Sequence, residues 1–179
     1  MSETRPIKDY IRTIPDFPIP GVQFRDVTTL FNDATGLRQA VDALANPFTG
    51  DRLTTVAAMD ARGFILGGAV AYKLGLPFVP IRKKGKLPGA TVAEAYSLEY
   101  GEAIVEIHHD AFDAGARVLL VDDLLATGGT AVAGAKLIER LGGHIVAAAF
   151  VVNLPDLGGE ARLRAMGIDV LTLCDFDGD

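Results

Sequence analysis

Cysteine, histidine and basic residues are all scarce in this chain of 179 residues, and each scarcity argues against a class of protein. The single cysteine, Cys174, cannot form an internal disulfide or a cysteine cluster, which favours a reducing, cytoplasmic environment. Three histidines without ligand spacing argue against a zinc site. Lysine and arginine total 17 against 23 acidic residues, so the net charge of -6 has the wrong sign for binding duplex nucleic acid. Any anion site must therefore be local.

Long apolar runs are missing as well. No stretch of 18 apolar residues occurs, and the charged N-terminal sequence MSETRPIKDYIRT lacks the apolar segment of a signal peptide. We therefore expect neither a membrane protein nor a secreted one. The composition is otherwise that of a globular protein, with 49% hydrophobic and 22% charged residues, and the length fits one domain.

Apolar runs alternate with glycine and proline breaks along most of the chain, which predicts alternating strands and helices. The predicted strands are 54–59, 77–81, 118–121, 145–152 and 170–173, and the predicted helices are 34–44, 62–75, 128–141 and 159–166. This alternation predicts an α/β domain with a mostly parallel sheet and right-handed crossovers. Residues 82–100 interrupt it with basic residues, glycine and proline, and we predict a long mobile loop or a hairpin there.

The strongest chemical signal is VLLVDDLLATGGT at 118–130. A buried strand ends in Asp122 and Asp123, and a glycine-rich turn then opens a helix, whose free backbone N–H groups form a phosphate cradle. Because carboxylates repel phosphate, the acid pair indicates a polar or cationic group in between, such as a ribose diol. Both acids reach one ligand only if the chain already turns at Asp122. The alternative is a capped helix beside a solvated acid pair.

This string resembles the phosphoribosyl-pyrophosphate motif of type I phosphoribosyltransferases. Other segments resemble the adenine-specific branch of that family in the same order: FPIPGVQFRDVT at 17–28, ARGF at 61–64, RKKGKLPG at 82–89, YSLEYG at 96–101 and FVVNLPDLGG at 150–159. The resemblance implies a type I phosphoribosyltransferase fold over 1–179, with helices flanking the sheet. It also implies a base-binding hood over about 1–35 and a flexible catalytic loop over about 82–101.

The resemblance implies the conversion of adenine and 5-phosphoribosyl 1-pyrophosphate to AMP and pyrophosphate, in purine salvage. It implies that Asp122 and Asp123 are catalytic, because carboxylates stabilise the oxocarbenium-like ribose of the transition state. We hypothesise that Glu99 closes over the base and exchanges a proton at N7; the alternative is a solvated loop residue. The 5-phosphate would be held by Ala126, Thr127, Gly128, Gly129 and Thr130.

The leaving pyrophosphate requires positive charge, and magnesium is expected to arrive on the sugar pyrophosphate without direct protein ligands. The resemblance further implies a non-proline cis peptide between Asp60 and Ala61. The alternative for the lysine-rich segment is that it is a surface loop whose charges only increase solubility, as basic loops usually are. The residues assigned to pyrophosphate are Asp60, Ala61, Arg62, Arg82, Lys83 and Lys86.

For adenine, Phe24 is the stacking candidate, although it is also compatible with a plain core aromatic. The resemblance implies that main-chain groups of Gln23 and Arg25 bind the polar edge of the base, and Leu124 is a candidate for its other face. Expected partners are therefore small-molecule substrates, with no nucleic acid and no membrane, and a homodimer by family inference alone. The rival hypotheses are a transferase for another base, a non-catalytic regulator that binds phosphoribosyl pyrophosphate, and a nucleotide-binding signalling domain.

Overall fold

The computed structural model describes residues 5–97 and 101–178. In these ranges a seven-stranded sheet carries helices on both faces, and a separate two-stranded ribbon lies near the N-terminus. None of the helices in these ranges is long and apolar enough to cross a membrane.

The strands and helices are numbered in chain order. The strands are β1 (Arg12–Pro15), β2 (Gln23–Asp26), β3 (Thr55–Met59), β4 (Phe78–Lys83), β5 (Thr91–Ser97), β6 (Glu102–His108), β7 (Arg117–Leu125), β8 (His144–Asn153) and β9 (Asp169–Asp175). The helices are α1 (Thr28–Phe31), α2 (Ala34–Ala45), α3 (Gly63–Leu74), α4 (Gly129–Arg140) and α5 (Gly159–Ala165). Single 3₁₀ turns lie at Ile7–Tyr10, Asn46–Phe48 and Pro155–Leu157.

The large sheet has the order β5-β6-β4-β3-β7-β8-β9. Five strands pair in parallel, in the order β4, β3, β7, β8 and β9, and β6 and β5 pair antiparallel at one edge. The prediction of an α/β domain with a mostly parallel sheet is therefore confirmed. Because helices cover both faces of β3, all five of its residues are buried, which explains why TVAAM is continuously apolar apart from its first threonine.

Two apolar cores form, one on each face of the sheet. Leu119 and Val121 of β7 pack in the core that α2 and α3 cover. Leu120 packs in the core that α4 covers, against Ile138 on the apolar face of that helix. Since alternate residues of β7 enter different cores, the strand is held firmly up to the acid pair.

Two segments differ from the sequence prediction. Strand β7 does not end at Val121 but continues through both acids to Leu125, with Leu124 opposite Val152 of β8. The region after Lys83 contains an antiparallel hairpin, because Thr91–Ser97 pairs along its whole length with Glu102–His108. Of the two predictions for this region, the hairpin is thus the correct one for residues 91–97. Their alternation of apolar and polar residues was too weak in the sequence to assign a strand.

Candidate active site

The turn after β7 forms a small cavity of about 160 Å³ at the carboxyl end of the parallel strands. It is lined by Asp122 and by residues 124–131, which include all five residues of the predicted cradle. Gly128 adopts a left-handed conformation with φ of 79°, and a Cβ atom there would lie 2.9 Å from the Cα of Gly159. Only glycine fits this position, and the turn leads directly into the 12-residue helix α4.

Helix α5 supports the cradle from outside. The backbone N–H of Gly159 donates to the carbonyl of Ala126 over 3.0 Å, and Nη1 of Arg162 donates to the carbonyl of Thr127 over 2.9 Å. A Cβ atom on Gly159 would lie only 2.3 Å from the Ala126 oxygen. These contacts fix the carbonyls of Ala126 and Thr127. Sequence reasoning did not identify Arg162, because nothing local connects it to a turn 35 residues earlier.

Asp122 lines this cavity and Asp123 follows it in β7, where the chain remains extended although a turn was expected. The alternation of β7 changes phase here, because Leu124 packs in the core of Val121 and Leu125 packs in the opposite core. Burial, and next the negative charge of Asp123, raise the pKa of Asp122 well above its ordinary value. Asp122 therefore favours its protonated form over a wider pH range than an exposed carboxyl.

Arg62 links the acid pair to the N-terminal ribbon. Its Nε donates to Oδ2 of Asp123 over 2.5 Å, and Asp123 is only 5% exposed. Its guanidinium also lies over the ring of Phe24, 5.9 Å from the centroid. Burial is the largest single effect on Arg62 and acts to lower its pKa. The charge and hydrogen bond of Asp123, with the charges of Asp122 and Asp26, together outweigh burial, so the pKa is raised. Arg62 thus carries a permanent positive charge at the junction of the acids and the predicted base slot.

The peptide between Asp60 and Ala61 is cis, as the sequence resemblance implied. Asp60 accepts a hydrogen bond from Nε of Arg82 over 3.1 Å, and Nη1 of Arg82 donates to the carbonyl of Lys86 over the same distance. Arg82 therefore ties the loop after β3 to the lysine-rich turn after β4. Lys83 and Lys86 are exposed.

A buried acid on the hairpin supports the lysine-rich turn. Glu106 is 8% exposed and its Oε2 accepts a hydrogen bond from the backbone N–H of Gly85 over 3.0 Å. Sequence reasoning missed Glu106, since in sequence it is one of several acids in a weakly patterned segment. Its position between the apolar Val105 and Ile107 is the sequence signal that could have identified it.

The predicted base-binding residues occupy the two-stranded ribbon. Phe24 is half-buried, and Phe17 meets it edge to face with 5.2 Å between the ring centroids. Gln23 is also half-buried, whereas the Arg25 side chain reaches the C-terminal segment and donates from Nη2 to the carbonyl of Asp177 over 2.9 Å. Of the three predicted residues, Phe24 is the one whose side chain approaches Arg62.

Glu99, the predicted proton-exchanging residue, lies outside the described residues. The preceding strand β5 ends against the cradle, because a Cβ atom on Gly129 would lie 3.3 Å from Cδ2 of Tyr96 and 3.6 Å from the carbonyl of Ser97. The hairpin therefore brings the chain to the cradle two residues before Glu99.

The remaining reactive side chains have structural surroundings. Cys174 donates from Sγ to the carbonyl of Val151 over 3.3 Å, and burial raises the pKa of its thiol to about 11, so it is a poor nucleophile. His108 donates to the carbonyl of Pro88 over 2.9 Å, and His109 is exposed. In residues 5–97 and 101–178, no group of three or more His, Cys, Asp or Glu side chains is arranged to hold a metal ion.

Two larger cavities of about 400 and 410 Å³ lie elsewhere. Both are lined near the amino ends of β3 and β4, by segments that include Leu53 and Leu76 in one case and Thr55 and Pro77 in the other. Neither contains a residue of the predicted site. Ligands of parallel sheets bind at the carboxyl ends of the strands, so the smaller cradle cavity is the better candidate.

Comparison with known proteins agrees with this geometry. A family model of the phosphoribosyl transferase domain matches residues 33–169. The chain belongs to the phosphoribosyl transferase family. Its fold is the type I phosphoribosyltransferase fold, as predicted.

Relatives of similar length share most of the sequence. The chain is 62% identical over 178 residues to an adenine phosphoribosyltransferase of Ruegeria pomeroyi, and the matched residues cover 99% of each chain. It is 65% identical over 172 residues to an adenine phosphoribosyltransferase of Cereibacter sphaeroides, and the matched residues cover 96% of this chain and 97% of the relative.

Solved structures of the family superpose closely. The adenine phosphoribosyltransferase of Rhodothermus marinus matches with a TM-score of 0.89 and 49% identity, covering 95% of this chain and 96% of the other. The Saccharomyces cerevisiae enzyme, solved with an imino-altritol bisphosphate and adenine, matches with a TM-score of 0.88 and 35% identity over 94% of this chain and 96% of that one.

Proposed function

We propose that this chain catalyses the transfer of the phosphoribosyl group from 5-phosphoribosyl 1-pyrophosphate to adenine, which yields AMP and pyrophosphate and serves purine salvage. The observation that carries this conclusion is the phosphate cradle beside Asp122 and the buried Asp123 at the carboxyl edge of the sheet. Identities of 62% and 65% to adenine phosphoribosyltransferases over nearly the whole chain support the same reaction and base.

The cradle residues Ala126–Thr130 bind the 5-phosphate in this proposal. Their backbone N–H groups lie at the start of α4, where the helix dipole favours an anion. Holding the phosphate at this end fixes the ribose relative to the acids on β7. This orientation favours the reaction, because it places the anomeric carbon at one fixed position relative to the base.

Asp122 and Asp123 act on the ribose. As the bond between the anomeric carbon and the pyrophosphate oxygen breaks, positive charge develops on the ribose, and nearby carboxylates stabilise it. N9 of adenine forms the new bond, and the imidazole ring of the base gives up one proton, which passes from N7 to Glu99 in this proposal. The electron pair of the broken bond leaves with pyrophosphate. The hydrogen bond from Arg62 holds the Asp123 carboxyl group in place at the site.

Pyrophosphate is bound by Arg62, Arg82, Lys83 and Lys86, together with the main chain around Asp60 and Ala61. The exposed lysines and the Arg82 link between the two loops support this assignment. Magnesium, when bound to the sugar pyrophosphate, would neutralise its charge and improve it as a leaving group. The exposed Lys83 and Lys86, with the neighbouring Arg82, fit this role, since they would add positive charge beside the same group.

Adenine is bound on the ribbon side, with Phe24 stacking on the base and the main chain of Gln23 and Arg25 binding its polar edge. The half-buried Phe24 next to Arg62 and the cavity-lining Leu124 support this placement. We assign to Glu99 the proton exchange at N7, which rests on the sequence resemblance. We further propose one catalytic domain over 1–179 with a base-binding hood and a flexible loop, a cytoplasmic location and a homodimer.

A single assay tests the function. The purified chain is mixed with magnesium, 5-phosphoribosyl 1-pyrophosphate and, separately, adenine, guanine, hypoxanthine or xanthine, and pyrophosphate release is followed. We expect release with adenine and AMP as the product. Release with another base alone would overturn the base assignment, and release with none would favour a non-catalytic regulator.

A further inference from the structure

The side chain of Arg25 leaves the proposed base site and binds the C-terminal segment. Its guanidinium lies over the ring of Phe176, 4.7 Å from the centroid, and its Nη2 donates to the carbonyl of Asp177 over 2.9 Å. Its Nη1 donates to Oγ1 of Thr13 on the neighbouring strand over 2.7 Å. One side chain therefore joins both strands of the ribbon to residues about 150 positions later.

The C-terminal segment that receives Arg25 is itself anchored. Phe176 is 7% exposed, and its backbone N–H donates to the carbonyl of Asn153 at the end of β8 over 3.0 Å. The backbone N–H of Gly178 donates to Oδ2 of Asp156 over 3.1 Å. The segment Phe176–Gly178 is thus held against the large sheet, and Arg25 reaches a fixed partner.

The anchor also connects to the phosphate cradle. Nδ2 of Asn153, which is 2% exposed, donates to Asp175 and to Glu160 of α5, each over 3.1 Å. Helix α5 in turn holds the carbonyl of Ala126 through the Gly159 N–H. The end of β8 therefore contacts, on one side, the support of the phosphate cradle and, on the other, the segment that binds Arg25.

We propose that the C-terminal segment Phe176–Gly178 is a positioning element for the adenine-binding strand β2 and acts through the Arg25 side chain. The inference rests on the proposed function, which assigns the main chain of Gln23 and Arg25 to the base. The ribbon β1–β2 is not a strand pair of the large sheet, and two strands alone are marginally stable. Main-chain recognition of a base requires placement within about 0.5 Å, so the ribbon needs such a tie.

The test is the Phe176→Leu variant, assayed for AMP formation with each substrate varied in turn. We expect the KM for adenine to rise about tenfold, because the ring under the guanidinium is lost, and the KM for 5-phosphoribosyl 1-pyrophosphate to stay within about twofold. Lys8→Met is the matched control, since the Lys8 ammonium lies 4.6 Å from the same ring centroid but belongs to the 3₁₀ turn Ile7–Tyr10. All its constants are expected within about twofold of wild type.

A double-mutant cycle identifies Arg25 as the route. Arg25→Ala alone is expected to raise the KM for adenine by a similar factor, and the double variant to add less than about twofold more. Additive effects would overturn the proposal, because the two residues would then act separately. Equal changes in both KM values, or a lowered Tm with an unchanged KM for adenine, would overturn it as well.

A second variant tests the proposal if Phe176→Leu does not fold. A chain that ends at Phe176 lacks the Asp177 carbonyl and the Gly178 N–H but keeps the ring, and a rise of about threefold in the KM for adenine is expected. An unchanged value contradicts the proposal. If the wild-type chain forms no AMP, the proposed function fails; if it does and these variants bind adenine normally, only the positioning role fails.

Discussion

Arg62 and Asp123 form a charge-assisted hydrogen bond 2.5 Å long between residues 61 positions apart in the chain. Arg62 ends the loop after β3, and Asp123 lies in β7, so the parallel pairing of these two strands creates the contact. The pair places a permanent cation beside the proposed ribose position. It also leaves Asp122, whose pKa is raised, as the acid without a guanidinium partner of its own among the described ion pairs.

Substitution of either acid by its amide should slow the chemical step. Asp123→Asn and Asp122→Asn keep the side-chain shape, but neither amide can carry the negative charge that stabilises the oxocarbenium-like ribose. We expect a loss of about 3 kcal/mol in transition-state stabilisation, or roughly 10²-fold in kcat, with smaller changes in KM. Steady-state kinetics at saturating substrates measure this. Normal kcat in both variants would assign the acids to ribose binding alone.

Asp122 should make stability depend on pH. Its pKa is higher in the folded chain than the ordinary 3.8, so the folded state binds more protons and wild-type stability decreases as the pH rises from about 3.8 through the folded pKa. Asp122→Asn lacks this decrease, and its unfolding free energy relative to wild type should therefore grow as the pH rises from about 3.8 through the folded pKa of Asp122. Urea unfolding of both proteins across this range measures the difference.

Asp26 supplies a control of opposite sign. Hydrogen bonds from Thr28 and Arg12 lower its pKa below 3.8, so its stabilising contribution is present above that value and is lost as the pH falls through the folded pKa. Asp26→Asn should be less stable than wild type at neutral pH, and the deficit should shrink in acid. If the unfolding free energy of either variant differs from that of wild type by the same amount at every pH, the direction of the pKa shift assigned to that residue is contradicted.

Gly128 should tolerate no side chain. Gly128→Ala introduces a Cβ atom 2.9 Å from the Gly159 backbone and forces a positive φ on alanine, so the cradle must distort. We expect a loss of about 1–3 kcal/mol in stability and at least a tenfold weaker binding of AMP, measured by calorimetry. Gly68→Ala is the control, since its Cβ would meet nothing within 4 Å in α3. Unchanged AMP binding by Gly128→Ala would remove the phosphate from this turn.

Glu106 should position the lysine-rich turn. Glu106→Leu leaves the Gly85 N–H without its acceptor, and we expect the KM for 5-phosphoribosyl 1-pyrophosphate to rise about fivefold while the KM for adenine stays constant. Glu106→Gln retains an acceptor oxygen and should restore most of the affinity. An equal effect of both variants on both substrates would indicate a general packing role.

Glu99 should affect turnover more than binding. Glu99→Gln is expected to leave substrate dissociation constants within about threefold and to lower kcat roughly 10²-fold, the lower part of the range for proton exchange. Glu102→Gln, an exposed acid at the start of β6, is the control. Calorimetry and turnover between about pH 6 and pH 9 separate the two effects. Wild-type turnover throughout that range would make Glu99 a solvated loop residue.

Several features of the fold and the site were predictable because neighbouring residues determine them. The apolar run before Asp122 indicated a buried strand, and the glycine pair at 128–129 indicated a cradle at a helix start; both exist. The structure of the chain beyond Val121 was harder to predict, since two adjacent carboxylates are unusual in a strand. Its pairing with β8 through Leu125 is stabilised by a neighbouring strand that local sequence does not reveal.

The amino-acid sequence by itself determined the α/β alternation, the cradle, the acid pair and the concentration of cations at 82–86. The tertiary structure decided which of these meet. The Arg62 contact to Asp123, the Glu106 contact to Gly85 and the Arg25 contact to Phe176 each join residues of different elements. Such contacts depend on strand order and on the direction of side chains across elements, which no local pattern encodes, whereas a turn or a buried strand depends only on residues adjacent in the chain.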